Sequence, residues 1–99
     1  MAHIKNTIIC TRPSTSVDFP ELTAEFIGVA TEYDLAGKRD LKSKTISADG
    51  LKQTVVTIFD SEASRFDWVE NSTIQSALNV RDMYCIENDI VITQTSEDV

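Results

Sequence analysis

The stretch RDLKSKTISADGLKQTVVTIFD, residues 39–60, decides the fold. It contains two β-compatible runs joined by Asp49-Gly50, a dipeptide typical of tight β-hairpins because their central turn residues need positive φ. The first arm, residues 41–48, is polar and carries lysines, as expected of an edge strand that must avoid further pairing. The second arm, from Leu51 to Phe59, has apolar residues on both faces and is predicted to be covered on both sides.

Two further strands are predicted outside this hairpin. Residues 3–11, HIKNTIICT, are rich in β-branched residues and end at the Arg12-Pro13 breaker. Both faces of this strand carry apolar residues, so both are expected to be covered. Residues 90–95, IVITQT, form a short final strand, and residues 96–99, SEDV, are predicted to be a solvated tail.

Two helical regions complete the pattern. In the first, Asp18 is predicted to be the N-cap and Gly37 to end the helix in the left-handed conformation. The apolar residues between them fall at helical spacing, at Leu22, Phe26, Val29, Ala30 and Tyr33. The second region covers residues 60–89, where Asp60 or Ser61 caps the start and Asn71-Ser72 kinks or restarts the helix.

The resulting order of elements, β-α-β-β-α-β, is the ferredoxin-like α+β pattern. Right-handed crossovers then give a four-stranded antiparallel sheet of order 4-1-3-2, with both helices on one face. The other face is left open, although it should carry apolar residues, namely Ile9, Val56, Ile58 and Val91 or Ile92. Soluble monomers rarely expose such a patch. Residues 1–99 are therefore predicted to form one domain that dimerises with a second copy through the open sheet face.

Composition narrows the range of partners. The chain has 99 residues, 41% of them hydrophobic and 25% charged, which is typical of a globular domain. Its net charge of −7 argues against nucleic acid and against an anionic membrane surface, since both are bound by clustered Lys and Arg. No apolar run approaches the roughly 18 residues of a spanning helix, and the start, MAHIKN, lacks a hydrophobic signal region. A cytoplasmic protein is expected.

The cysteines and the histidine do not form a recognisable site. Cys10 and Cys85 lie far apart without a CxxC motif, which predicts two reduced buried thiols rather than a disulfide. The single histidine is His3, whereas zinc sites usually recruit several His or Cys ligands. No metal site and no cofactor are therefore predicted.

Residues 57–82, TIFDSEASRFDWVENSTIQSALNVRD, resemble the dimeric α+β-barrel superfamily, which includes the antibiotic-biosynthesis monooxygenases and the haem-degrading monooxygenases. The order of elements extends this resemblance over nearly the whole chain. The matching features are two aromatic residues, an acid–Ser pair and a polar helix break, at Phe59, Trp68, Asp60-Ser61 and Asn71-Ser72.

The two branches of that superfamily imply different site residues. The haem-degrading branch uses an Asn on the first strand, a Trp on the second helix and a later His, and Asn6 and Trp68 resemble the first two. Leu78 stands where that His should fall and His3 lies too early, so iron would lack an axial ligand. The cofactor-independent oxygenase branch places Asn, Trp, Tyr and Arg around an aromatic substrate. The corresponding residues here are Asn6, Tyr33, Trp68 and Arg81.

Each of these side chains also has a structural explanation. Asn6 can be a hydrogen-bonded buried amide, and Trp68 and Tyr33 can be core aromatics. Arg81 can pair with a neighbouring carboxylate. No nucleophile–base pair is visible, so the residues by themselves do not decide whether the protein is an enzyme.

A cavity is nevertheless predicted between the sheet and the helices. Its expected lining is aliphatic and aromatic with one amide and one phenol: Asn6, Ile8, Phe26, Val29, Tyr33, Phe59, Trp68 and Leu78. No Lys is expected there and Arg81 is the one nearby cation, so a multiply charged phosphate would lack partners. For the predicted homodimer, this lining favours an apolar small-molecule ligand, such as a fatty acid or an aromatic compound. The alternatives are a cofactor-independent monooxygenase and an interaction module with a filled core.

Overall fold

The computed structural model describes residues 3–99 and follows the order β-α-β-β-α-α-β. Met1 and Ala2, which the predicted domain 1–99 includes, lie outside the described residues. The strands are β1 (Ile4–Thr11), β2 (Arg39–Ile46), β3 (Lys52–Phe59) and β4 (Val91–Asp98). The helices are α1 (Ala24–Leu35), α2 (Glu62–Glu70) and α3 (Ser72–Glu87).

All pairs of neighbouring strands are antiparallel, in the order β2-β3-β1-β4, which is the predicted order 4-1-3-2. The β2–β3 hairpin turns at Asp49-Gly50 as predicted, with Gly50 at a φ of 77°. The Asp49 carboxylate accepts hydrogen bonds from the Leu51 backbone N–H and the Ser47 hydroxyl, at 3.0 and 2.6 Å. β2 contains an irregularity between Leu41 and Ser43 that shifts its register against β3.

The last strand is longer than predicted. Residues 96–98 are not a solvated tail, because β4 pairs with β1 as far as Asp98, which lies opposite Ile4. The Ser96 hydroxyl donates to the side-chain oxygen of Asn6, and the Val99 N–H donates to the His3 carbonyl at 2.9 Å. Polar residues are acceptable here because β4 is an edge strand.

Helix α1 begins later than predicted. Thr23, not Asp18, is the N-cap, and its hydroxyl oxygen accepts a hydrogen bond from the Phe26 N–H at 3.1 Å. The preceding loop is held in an irregular conformation by Arg12, which donates to the carbonyl of Val17 at 2.9 Å and lies 4.2 Å from the centre of the Phe19 ring. The Val17 carbonyl thus has a hydrogen-bond partner in a segment that forms no helical turn. After α1, Gly37 takes the predicted left-handed conformation with a φ of 73°.

The second helical region is two helices rather than one. Ser61 caps α2, and its hydroxyl accepts from the Ser64 N–H at 3.2 Å. Asn71 ends α2 and caps α3, with its side-chain oxygen accepting from the N–H groups of Thr73 and Ile74 at 3.0 and 3.1 Å. The polar break that the sequence contains is therefore a restart.

The core lies between the sheet and the helices. Its larger cluster of buried residues comprises Ile4, Phe26, Ala30, Phe59, Trp68, Ile74 and Ala77. A smaller cluster joins Cys10, Cys85 and Ile90. Because side chains alternate along a strand, the opposite sheet face carries Ile9, Val56 and Ile58, all partly exposed, and Val91, which is 63% exposed. Among residues 3–99, no helix is long and apolar enough to cross a membrane.

Candidate functional site

A cavity of about 170 Å³ lies between the helix-facing side of the sheet and the helices. Its floor comes from alternate residues of β1 and β3, including Ile8 and Val55, and its roof includes Phe26 of α1 and Leu78 of α3. An apolar cavity of about 150 Å³ is large enough to hold a benzene molecule. This cavity therefore has room for one aromatic ring.

The structure brings together six of the eight residues expected around the cavity: Asn6, Ile8, Phe26, Phe59, Trp68 and Leu78. The other two, Val29 and Tyr33, do not line it and instead pack against the larger core cluster. The Tyr33 ring lies 5.3 Å from the Trp68 ring, centre to centre, in an edge arrangement. Tyr33 thus supports the cavity wall from behind, because it continues the α1 stripe beyond the cavity.

One end of the cavity is aromatic. Trp68 is buried and its ring centre lies 5.4 Å from that of Phe26, edge to face, and 5.8 Å from that of Phe59, tilted. The Ser61 cap starts α2 directly after β3, and Trp68 two turns later returns over Phe59 at the end of that strand. Such aromatic pairs contribute about 0.5–1.5 kcal/mol beyond their burial. The three rings therefore form one packed wall at this end.

Asn6 combines a structural and a cavity-facing role. Its side chain is buried, with 4% of its surface exposed, and its oxygen accepts the hydrogen bond from Ser96. Its amide nitrogen donates no hydrogen bond within residues 3–99, and the residue lines the cavity. The amide N–H₂ is thus a hydrogen-bond donor at the middle of the cavity floor, where Asn6 pairs with Thr57 of β3.

The cavity has more positive charge than expected. Arg39 and Lys44, both on β2, line it together with Arg81, so the expectation that it contains no Lys and a single nearby cation is wrong. Strict alternation from Arg39 would point residue 44 to the other face of the sheet. The irregularity between Leu41 and Ser43 reverses the alternation, so that Lys44 pairs with Val55 on the cavity side.

Each arginine already has one carboxylate partner outside the cavity lining. Arg39 donates from Nη1 to both oxygens of Asp34, at 3.0 and 3.2 Å. Arg81 donates from Nε and Nη2 to a single oxygen of Asp82, at 3.1 and 3.0 Å. Both guanidinium side chains are about nine-tenths buried, whereas the two carboxylates are substantially exposed.

Sequence reasoning missed several other lining residues. Gln53, Val55 and Thr57 alternate with Phe59 on β3, so the period-2 pattern of that strand could have found them. Cys10 shares the alternating face of Asn6 and Ile8, and Leu22 is on the predicted apolar stripe of the first helix, so local patterns could have found both. Tertiary placement, which no local pattern reports, brings in Pro20, Leu41, Val69 and Gln94.

The two cysteines are buried and free, as predicted. Burial raises the pKa of the Cys10 thiol, and the positive charge of Arg81 opposes that rise. Burial also raises the pKa of Cys85, and Cys10 raises it further. Cys10 and Arg81 both line the cavity. Within residues 3–99, no group of three or more His, Cys, Asp or Glu side chains could hold a metal ion.

The comparisons with known proteins concern the fold. No protein-family model and no curated protein matches the chain. Its structure is similar to that of a "putative antibiotic biosynthesis monooxygenase" from Caulobacter crescentus CB15, with a TM-score of 0.63 and 10% identity over 99% of this chain and 91% of that one. It is also similar to a dimeric ferredoxin-like protein from an uncultured marine organism, with a TM-score of 0.56 and 4% identity over 100% of this chain and 96% of that one.

These likenesses confirm the predicted ferredoxin-like α+β fold and the resemblance to antibiotic-biosynthesis-monooxygenase-like structures. At identities of 10% and 4% they show the fold alone. The chain is a ferredoxin-like α+β protein with a third helical segment. Its candidate functional site is the cavity between the sheet and the helices.

Proposed function

We propose that this protein binds a small apolar molecule in the cavity between its sheet and its helices. The cavity of about 170 Å³ is the observation that carries this proposal. Small-molecule sites are concave and mostly apolar, with a few polar groups that orient the ligand. Here aliphatic and aromatic side chains dominate the lining, with Asn6 and Thr57 at the middle of the floor. An interaction module with a filled core would have no need of this space.

The cavity favours an aromatic ligand over a long acyl chain. Its volume is close to that of cavities that hold a single benzene ring. Phe26, Phe59 and Trp68 all line the cavity, so an aromatic ligand would meet aromatic side chains. A fatty acid of ordinary length needs more room than this cavity provides.

Toluene is a suitable neutral probe, and its binding is measurable from amide chemical shifts of the labelled protein. We expect saturable shifts at residues of the cavity lining. Leu78→Phe should fill the cavity and weaken toluene binding by about tenfold or more, a loss of about 1.4 kcal/mol. Val80→Phe is the matched control, because Val80 lies on the same helix but is 60% exposed. A protein whose shifts do not respond to toluene would contradict the proposal.

A cofactor-independent monooxygenase is the second candidate. The fold likeness to the Caulobacter protein supports it, and so does the lining of one cavity by Asn6, Trp68 and Arg81. Tyr33, the fourth residue of that set, lies behind Trp68. Oxygen uptake with quinol-type substrates tests this candidate, with Trp68→Phe expected to lower the rate. Uptake equal to that of a protein-free control would exclude these substrates.

A second copy of the chain is the proposed partner of the open sheet face. Ile9, Val56 and Ile58 are partly exposed there, and Val91 is largely exposed. Burying this patch against its own copy would remove apolar surface from water at about 25 cal/mol per Å². The name of the similar marine protein, which describes it as dimeric, supports the same arrangement here.

A further inference from the structure

The charge of the cavity is opposite to that of the protein as a whole. The chain has 16 acidic and 9 basic residues and a net charge of −7. Among the described residues, however, the cavity is lined by three cations and by no Asp or Glu. The pattern points to a ligand of negative charge.

The three cations are not equivalent. Arg39 is engaged on two sides, because its Nη1 contacts both oxygens of Asp34 and its guanidinium carbon lies 4.9 Å from the centre of the Trp68 ring. It holds Trp68 in place at the aromatic end of the cavity. Asp34 balances its charge, as Asp82 balances that of Arg81, and its contact with the Trp68 ring keeps its guanidinium at the aromatic end.

Arg81 and Lys44 line the other end of the cavity, away from the ring of Trp68. Lys44 pairs with Val55, which in turn pairs with Ile8, and Gln94 of β4 lies opposite Ile8 on its other side. The next row of the floor contains Cys10 and Gln53, and Arg81 lies one turn of α3 before Cys85, which packs against Cys10. Two cations and two side-chain amides, from four different elements, therefore line this end of the cavity.

Arg81 retains donors for a ligand. It uses Nε and Nη2 on one oxygen of Asp82, a neighbour in sequence whose side chain is half exposed. Its Nη1 makes no hydrogen bond within residues 3–99. A guanidinium with free N–H groups and little exposure to water is well suited to a carboxylate, and arginine–carboxylate hydrogen bonds are roughly twice as strong as neutral ones.

We infer that the ligand is an aromatic monoanion with a carboxylate group. Its ring would lie against Phe26, Phe59 and Trp68, and its carboxylate would accept hydrogen bonds from Arg81 and Lys44. This inference rests on the proposed function and adds the charge and orientation of the ligand. A cationic ligand would meet Lys44 and two carboxylate-paired arginines, and the cavity lining contains no Asp or Glu to accept its hydrogen bonds, which is costly in a partly dry site.

Three single-ring probes separate the claims: toluene, benzamide and benzoate, titrated by calorimetry. Benzamide has the shape of benzoate without its charge. We expect wild-type protein to bind benzoate about tenfold or more tightly than benzamide, since charge-assisted hydrogen bonds replace neutral ones. Arg81→Gln should remove most of this preference and change benzamide binding less than about twofold.

Lys44→Gln should weaken benzoate binding by a smaller factor, since Lys44 is more exposed and partly screened by salt. Lys42→Gln is the matched control, because Lys42 lies on the same strand but does not line this cavity. Circular dichroism confirms that each variant is folded. Benzoate affinity should be unchanged in Lys42→Gln.

The outcomes distinguish the two proposals. Binding of toluene and benzamide with no preference for benzoate would overturn the anionic ligand and leave the binding function in place. A benzoate preference that survives Arg81→Gln would also overturn the assignment. Failure of the wild-type protein to bind toluene would contradict the proposed function itself, and the inference with it.

Discussion

The guanidinium of Arg39 lies over the indole ring of Trp68, with 4.9 Å between the guanidinium carbon and the ring centre. This contact joins the edge strand β2 to helix α2, and Asp34 at the end of α1 holds the same guanidinium at 3.0 Å. The Arg39 guanidinium thus connects β2, the end of α1 and the Trp68 ring of α2. Trp68 is consequently both a core residue and a wall of the cavity.

Truncation of Trp68 should be among the most damaging single changes in the chain. Trp68→Ala removes the contacts with Phe26, Tyr33 and Phe59, and we expect it to lower the free energy of unfolding by about 3–5 kcal/mol. Phe66→Ala is the control, because Phe66 lies on the same helix but is 59% exposed. Urea denaturation of both variants measures the difference. Equal losses would contradict the central role of Trp68.

The Asn6–Ser96 hydrogen bond should respond asymmetrically to mutation. Ser96→Ala leaves the buried oxygen of Asn6 without its donor, at an expected cost of about 1–2 kcal/mol. Asn6→Leu should cost less, because the exposed Ser96 hydroxyl can bond to water instead. The double variant should be no less stable than Asn6→Leu alone, which a double-mutant cycle in urea tests. A larger loss of stability for Asn6→Leu than for Ser96→Ala would argue that this hydrogen bond does not hold β4 against β1.

The cap at Asn71 should stabilise the junction between α2 and α3. Asn71→Ala removes the acceptor of two backbone N–H groups and is expected to cost about 0.5–2 kcal/mol. Asn79→Ala provides the comparison, since Asn79 is exposed within α3 and alanine is the better helix former. Its stability should therefore equal or slightly exceed that of wild type. An Asn71→Ala variant as stable as wild type would show that packing alone determines where α3 begins.

Alkaline pH should destabilise the protein through its buried thiols. The folded state raises the pKa of Cys10 and of Cys85, so it binds their protons more tightly than the unfolded chain does. The contribution is complete below the unfolded thiol pKa, near 8.5, and is lost as the pH rises through the folded values. The free energy of unfolding of wild type should fall above that pH more steeply than that of Cys10→Ala. Parallel pH profiles would contradict this.

The proposed dimer predicts a molar mass near twice the 11.0 kDa of the chain, measured by light scattering after size exclusion. Ile58→Lys places a charge on the open sheet face and should shift the mass toward that of one chain. Ile27→Lys is the control, because Ile27 is an exposed residue of α1. A wild-type mass near that of one chain would contradict the dimer.

The sequence by itself determined the features that depend on near neighbours. The Asp49-Gly50 turn, the left-handed Gly37 and an interruption of the helix at Asn71-Ser72 follow from backbone preferences within a few residues. The strand order follows from the order of elements and the handedness of crossovers. The apolar residues at Ile8, Phe26 and Leu78 pointed to a cavity because their periodicities place them on core-facing sides.

Only the tertiary structure decided the features that depend on distant partners. β4 continues to Asp98 because β1 offers it unpaired backbone groups, which a polar sequence alone does not reveal. The loop before α1 is held by Arg12, which directly follows β1 and bonds the Val17 carbonyl, and the helix is capped only at Thr23. Lys44 lines the cavity because an irregularity in β2 reverses the alternation of its side chains. The charge of the cavity therefore depends on strand register, which pairing with β3 sets and local sequence does not.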